Sequence, residues 1–311
     1  MHASTLIRDV EADAIVGPGE RWMEEINACQ PTVVMTDDGG ALSVNEVRQL
    51  LDEAQIAPKK SLGQNFVIDP NTVRRIARLA AVGHGDKVLE IGAGLGSLTL
   101  ALVETGANVL ALETDGALIP LLRSTVGSNV EILQADVRNV SLDKVLEGSD
   151  WHLVANLPYN IATSIVLQVL DEVPAVSHLL VMVQKEAGER LAASAGDKAY
   201  GAVSVRVAMR ANASIVGHIS PSVFYPKPKV SSTLVAIERC NNRFSSEVEQ
   251  ELISILRTAF GQRRKMLRKS LRGSVDEESI KLAGIDPTSR PEQLDLGAWV
   301  SLAEQSIDAS S

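Results

Sequence analysis

From about residue 71 onward, apolar positions along the chain switch between two periods. Short β-rich runs at Lys87–Ile91, Asn108–Glu113, Val130–Leu133, Trp151–Ala155 and His178–Val183 are separated by stretches with helical spacing. That alternation predicts a mostly parallel sheet with helices on both faces. Two further runs, Ala213–Ile219 and Val230–Glu238, have the Pro-rich segment 221–228 between them in place of a helix. They are expected to form an antiparallel hairpin that closes the sheet. After Glu238 the strand pattern stops. Residues 245–306 read as short helices separated by Gly273, Gly284-Ile285-Asp286-Pro287 and Arg290-Pro291, which predicts a second, helical domain.

The N-terminal region has a different character. Residues 1–42 show no sustained period and contain the turn-prone Gly17-Pro18-Gly19 and Asp37-Asp38-Gly39-Gly40, so they are expected to be a flexible acidic extension. Met35 within it would serve equally as a start residue. Ser43-Val44-Asn45-Glu46 has the form of a capping box, and Val47, Leu50 and Leu51 follow at helical spacing, so a short helix should begin there. The expected division is therefore 1–42, a nucleotide-binding α/β domain over 43–240, and a small all-helical domain over 241–311.

Composition narrows this picture modestly. With 311 residues, 45% apolar and 22% charged, the chain can bury a large core without staples. Cys29 and Cys240 match no zinc or redox spacing, and no apolar run reaches the length of a membrane span, so a cytoplasmic protein with free thiols is expected. A net charge of −9 argues against a nucleic-acid partner until its distribution is considered. Residues 1–58 hold three basic and eleven acidic residues, leaving 27 basic against 28 acidic in the remainder, which is nearly neutral.

Candidate chemistry sits where the strands end. Val88-Leu89-Glu90-Ile91 runs into Gly92-Ala93-Gly94-Leu95-Gly96, a strand entering a glycine turn that opens a helix. Such turns let a ligand approach the backbone, although a tight turn of purely structural purpose would use the same glycines. The next strand ends at Glu113, a carboxylate able to accept from both hydroxyls of a ribose. The third ends at Gln134-Ala135-Asp136, placing a carboxylate where an adenine amino group could bond to it; solvation is the competing reading of that aspartate. The Gly-x-Gly-x-Gly spacing lacks the third position of the dinucleotide fingerprint, which favours S-adenosylmethionine over NAD.

The fourth strand ends in Asn156-Leu157-Pro158-Tyr159, the most specific signal in the chain. An exocyclic amine is a poor nucleophile because its lone pair is conjugated into the ring. Two fixed acceptors, the Asn156 side-chain oxygen and the Leu157 carbonyl, would hold its N–H bonds where the lone pair can localise. Pro158 stiffens the turn and Tyr159 offers a ring for stacking; a strand end capped by an aromatic is the bland reading. Transfer would rest on positioning and electrostatics. No metal is expected, because no histidine shows ligand spacing with another His, Cys or carboxylate.

These residues resemble those of the bacterial ribosomal RNA adenine dimethyltransferases of the small subunit. The segments carrying the likeness are Lys59-Lys60-Ser61-Leu62-Gly63-Gln64-Asn65-Phe66, Glu90–Gly96, Glu113, Asp136, Asn156–Tyr159, Phe224-Tyr225-Pro226-Lys227-Pro228-Lys229-Val230 and Phe260–Leu271. The resemblance, which runs from about Leu42 to Leu302, implies a Rossmann-like class I methyltransferase with a mostly parallel seven-stranded sheet and a C-terminal all-helical RNA-binding domain. It implies that Asn65, Val67, Gly92, Gly94, Glu113, Asp136 and Asn156 hold S-adenosylmethionine, and that Tyr159 and Phe224 sandwich the adenine. Two transfers to each of two adjacent adenosines near the 3′ end of the RNA would give N6,N6-dimethyladenosine. The small ribosomal subunit and its RNA would be the partners, and the enzyme is expected to be a monomer. The family usually has Leu where Val67 stands, a conservative departure.

The RNA surface has its own signals. Five of the seven Phe and Tyr residues, namely Phe66, Tyr159, Phe224, Tyr225 and Phe260, fall in these segments. Core packing is expected of Phe66 and Phe260, and stacking of Phe224. Residues 263–272 contain Arg263, Arg264, Lys265, Arg268, Lys269 and Arg272, with Phe260, Leu267 and Leu271 spaced along one helical face. This predicts a basic amphipathic helix contacting RNA backbone, joined by Arg74, Arg75, Lys227 and Lys229, against the alternative of a merely solvated face. Two other functions compete: modification of large-subunit RNA as in macrolide resistance, against which Phe260-Gly261-Gln262-Arg263-Arg264-Lys265 speaks, and a ribosome-assembly factor whose catalysis is secondary.

Overall fold

The computed structural model describes residues 41–240 and 244–309; residues 1–40, with Cys29 and almost all of the predicted extension, lie outside them. Helix α1 (Val44–Glu53) begins as its sequence predicts. The Ser43 hydroxyl accepts from the Glu46 N–H, while the Glu46 carboxylate accepts from the Ser43 N–H at 2.7 Å. A 3-10 turn at Lys60–Leu62 leads into the two-residue strand β1 (Phe66–Val67) and then α2 (Pro70–Leu79), which has Asp69 as its N-cap.

The sheet proper is built from β2 (Lys87–Ile91), α3 (Ser97–Val103), β3 (Asn108–Glu113), α4 (Ile119–Val126), β4 (Glu131–Gln134), α5 (Leu142–Val145), β5 (Trp151–Asn156), α6 (Ala162–Glu172) and β6 (Val176–Gln184). Helices α7 (Lys185–Leu191) and α8 (Ala202–Ala208), strand β7 (Ala211–Ile219), the short β8 (Phe224–Tyr225) and β9 (Ser232–Arg239) follow. Seven strands lie in the order β4-β3-β2-β5-β6-β9-β7. Only β9 runs against the others, pairing antiparallel with both β6 and β7. The expected hairpin of β7 and β9 thus exists, but it is inserted with β9 on the inside, so that β7 forms the edge.

Alternation of side chains splits the core into two layers, one on each face of the sheet. Leu89, Ile91, Leu110, Leu112, Leu153 and Ala155 pack with α6, whereas Val88, Val109, Ala111, Ile132 and Val154 pack with α2, α3 and α4. A third cluster belongs to α9 (Ser246–Gly261), α10 (Leu267–Ser270), α11 (Glu277–Leu282) and α12 (Leu296–Asp308), centred on the fully buried Trp299. Tyr200, Val205 and Met209 from the α8 region complete that cluster. Phe260 packs edge-on to Tyr200 and tilted against Trp299, the core role expected of it.

The predicted basic helix over 263–272 does not form. Helix α9 stops at Gly261, and Met266 is extended before the single turn α10. Tertiary partners outweigh the helical period here. The Arg263 guanidinium donates to Glu292 at 2.7 Å and to the Lys198 carbonyl at 2.8 Å, while the Leu267 and Arg268 N–H groups donate to the Ser289 and Pro287 carbonyls. Leu267 and Leu271 are buried, as their spacing requires.

Candidate active site

The carboxyl ends of β2, β3 and β5 open into one cleft lined by Asn65, Phe66, Val67, Glu90, Gly92, Gly94, Glu113, Asn156, Leu157, Pro158 and Tyr159, among others. It lies where open α/β sheets bind ligands, because the helices leave the strand ends uncovered there. Gly92 and Gly94 both have positive φ, at 78° and 60°. A Cβ on Gly94 would press on the Phe66 ring at 3.1 Å, while one on Gly92 would meet only the Asn156 carbonyl and Pro158 at 3.9 Å. Gly94 therefore permits β1 to close over the turn, and Gly92 keeps the cleft open.

Glu113 is 5% exposed, and its two oxygens accept from the Gly94 and Asp115 N–H groups, each at 2.8 Å. Burial raises its pKa, opposed by those backbone hydrogen bonds. Glu90, 2% exposed, is pushed up to about 8 by burial, opposed by the Thr99 hydroxyl and reinforced by Glu113. It is thus largely protonated at neutral pH. Asp136 does not line this cleft. It lines an adjoining cavity with Leu112, Val137, Arg138 and Ile165, which shares Leu62, Gly92, Thr114 and Pro158 with the first. The Arg138 guanidinium pairs with Asp136 and holds its carboxyl below the usual range.

At the end of β5, the Asn156 side-chain N–H donates to the Asn65 carbonyl at 3.0 Å. That bond turns the amide so that its oxygen is the end left to accept. The segment bearing Asn65 is itself clasped to the end of β3: Lys59 bonds Asp115 at 2.8 Å, and the Gln64 amide bonds the other Asp115 oxygen at 2.9 Å. Gly63 sits against Pro158, and β1 pairs with β8, matching Phe66 to Tyr225 and Val67 to Phe224. A short two-stranded sheet thus joins two motifs far apart in sequence beside the cleft. Nothing in either motif alone signals that pairing.

Phe224 departs from its expected stacking role. It is 2% exposed, packs into the apolar layer containing Val67 and Ile219, and does not line the cleft. Its position in β8, with the side chain turned to that layer, accounts for this. Phe66 both packs and lines the cleft. Three lining or neighbouring residues carry no sequence motif of their own: Ser97, whose buried hydroxyl has no partner, Asp115 and Ser232. Ser97 directly follows the glycine turn and was readable from position; Ser232 was not.

The cationic residues divide. Arg74 lies 3.6 Å from Glu104, Arg75 reaches the His218 carbonyl and Arg263 is tied as described. Lys227, Lys229, Arg264, Lys265, Arg268, Lys269 and Arg272 are exposed.

The cleft suits S-adenosylmethionine. A buried carboxylate, Glu113, stands at the end of β3, a glycine faces the ligand space, and the orphaned Ser97 hydroxyl offers a further polar contact. Among the described residues no group of three or more His, Cys, Asp or Glu is disposed to hold a metal, and no helix is long and apolar enough to cross a membrane.

Sheet order, glycine turn and the carboxylate at the end of β3 together define a class I methyltransferase. Similar folds are a dimethyladenosine transferase from Plasmodium falciparum, with a TM-score of 0.62 over 75% of this chain and 94% of that one, and the 23S rRNA methyltransferase ErmE, with 0.61 over 77% and 98%. Each is 23% identical, so the likeness is one of fold. Sequence relatives discriminate further. The ribosomal RNA small subunit methyltransferases A of Bifidobacterium longum (strain NCC 2705) and Cutibacterium acnes are 42% and 41% identical, over 86% and 88% of this chain and 94% and 96% of their own lengths. Residues 56–308 match the ribosomal RNA adenine dimethylase family, and the chain belongs to it.

Proposed function

We propose that this protein transfers methyl groups from S-adenosylmethionine to N6 of adenines in small-subunit ribosomal RNA, two to each target, giving N6,N6-dimethyladenosine. When bound, S-adenosylmethionine would supply an electrophilic methyl on a sulfonium, whose transfer to N6 would leave the carbon–sulfur pair on sulfur and release an N6 proton to solvent. Gly92, Gly94, Glu113, Asn65, Val67 and Ser97 would hold the donor, and Asp136 would reach its base through the adjoining cavity. The Asn156 oxygen and the Leu157 carbonyl accept from the target amine, and Tyr159 stacks on the ring. The bond from the Asn156 amide to the Asn65 carbonyl carries this reading, because it fixes which end of the amide faces the amine.

Exposed Lys227, Lys229, Arg264, Lys265, Arg268, Lys269 and Arg272 meet phosphates. The working unit is a monomer in the cytoplasm, and the chemistry asks for no metal. The test is labelled methyl transfer to immature small subunits, large subunits and naked RNA, with nucleoside analysis. Dimethyladenosine confined to the small subunit is expected; label in large-subunit RNA would overturn the substrate assignment.

A further inference from the structure

We propose that Ser232 is a positioning residue that governs the second methyl transfer, and so decides between mono- and dimethylated product. The inference rests on the reaction proposed above. The Tyr159 hydroxyl lies 2.6 Å from the Ser232 hydroxyl, and Ser232 is fully buried. Ser232 opens β9, the one reversed strand, and its register places it between Gln184 at the end of β6 and Ile219 at the end of β7. The anchor is therefore part of the sheet. Tyr159 is held at its backbone by the turn after Pro158 and at its far end by Ser232, which fixes the direction of the ring axis beside Asn156 and Leu157.

The chemistry of the amine makes this hold matter unequally. Before the first transfer, N6 carries two N–H bonds for two acceptors, the Asn156 oxygen and the Leu157 carbonyl. After it, one N–H remains and one acceptor contact is lost. Stacking on Tyr159 then carries a larger share of the positioning, just when a methyl group must also be accommodated. Loosening the ring slows the second transfer more than the first. A buried hydroxyl with only a packing role would weaken stability without changing that ratio.

The experiment follows N6-methyl- and N6,N6-dimethyladenosine through a time course on immature small subunits, alongside S-adenosylmethionine binding and thermal melting. With Ser232→Ala, the second transfer is expected to slow by about tenfold and the first by about threefold or less, the scale of one lost hydrogen bond, so that monomethyl product accumulates. Binding of S-adenosylmethionine should be unchanged. Ser232→Thr should restore the ratio, and Tyr159→Phe, which breaks the same bond from the other end, should reproduce it. An unchanged ratio in both Ser232→Ala and Tyr159→Phe would overturn the proposal, as would equal slowing of both transfers. If Ser232→Ala does not fold, Tyr159→Phe decides alone. Absence of methyladenosine with the unaltered chain would instead sink the underlying reaction, and the inference with it.

Discussion

The two sides of the cleft are built differently. On the β4-β3-β2 side, most contributions to the donor site are short contiguous stretches at one strand's end, namely the glycine turn, Glu113 and the Asp136 segment, with Asn65 and Val67 added from β1 and the segment before it. On the acceptor side, the contacts join distant segments: Asn156 to Asn65 across 91 positions and Tyr159 to Ser232 across 73. Most of donor binding can thus be made by local backbone geometry, whereas orienting a base on the donor's methyl requires several parts of the fold to agree.

The comparison is broken most severely at Asn156. Removing an oriented acceptor of the transition state typically costs 10²–10³ in rate. Asn156→Ala is expected to lower kcat by about that factor while small-subunit binding, measured by co-sedimentation, persists. A variant that keeps more than a tenth of wild-type turnover would show that the acceptor side does not depend on this amide. Retained rescue of ribosome assembly by the same variant would move weight to the binding role.

On the donor side, Glu113→Gln is the sharper test. Both carboxylate oxygens accept backbone N–H groups, so an amide must aim its NH₂ at one of those donors. A buried donor left unsatisfied costs about 1–3 kcal/mol. The Kd for S-adenosylmethionine, read by calorimetry, should rise by about 5- to 100-fold, with kcat at saturating donor changing far less. A kcat loss as large as that of Asn156→Ala would erase the division between the two sides.

That division also explains what was legible in the sequence. All seven strands of the main sheet can be read to within two residues of their ends from apolar period, which burial in the core demands of the inner strands. The two-residue strands β1 and β8 could not, since two residues carry no period. The Pro-rich surroundings of Phe224 point to stacking, but side-chain direction in β8 sends it to the core. Sequence groups Arg263 with its basic neighbours, yet pairing with Glu292 depends on where the chain returns 29 residues later. Ser232 is a serine among serines until the fold brings Tyr159 to it.

Glu90 provides a smaller test within the donor side. Its folded pKa, pushed up to about 8 chiefly by burial, stands above the ordinary 4.5. The folded state therefore holds this proton more tightly than the unfolded one. Its contribution to stability is whole below about pH 4.5 and is lost as pH rises toward about 8. Glu90→Gln, which keeps an acceptor for Thr99 and cannot ionise, should melt higher than wild type, with the gap widening over that window. Parallel melting curves from pH 5 to 8 would place the proton elsewhere.

The smallest effects separate cations that one sequence run had grouped together. Arg263 is half-buried and bonded to Glu292 and the Lys198 carbonyl, so Arg263→Ala should destabilise by about 1 kcal/mol, or roughly 2–4 °C in Tm. Its effect on the salt dependence of RNA binding should be slight. Arg264 is exposed, so Arg264→Ala should leave Tm within about 1 °C while reducing the slope of log K against log salt by about 1. Finding the two phenotypes exchanged would mean that Arg263 leaves Glu292 for a phosphate when RNA binds, and that the acceptor side rearranges on binding where the donor side does not.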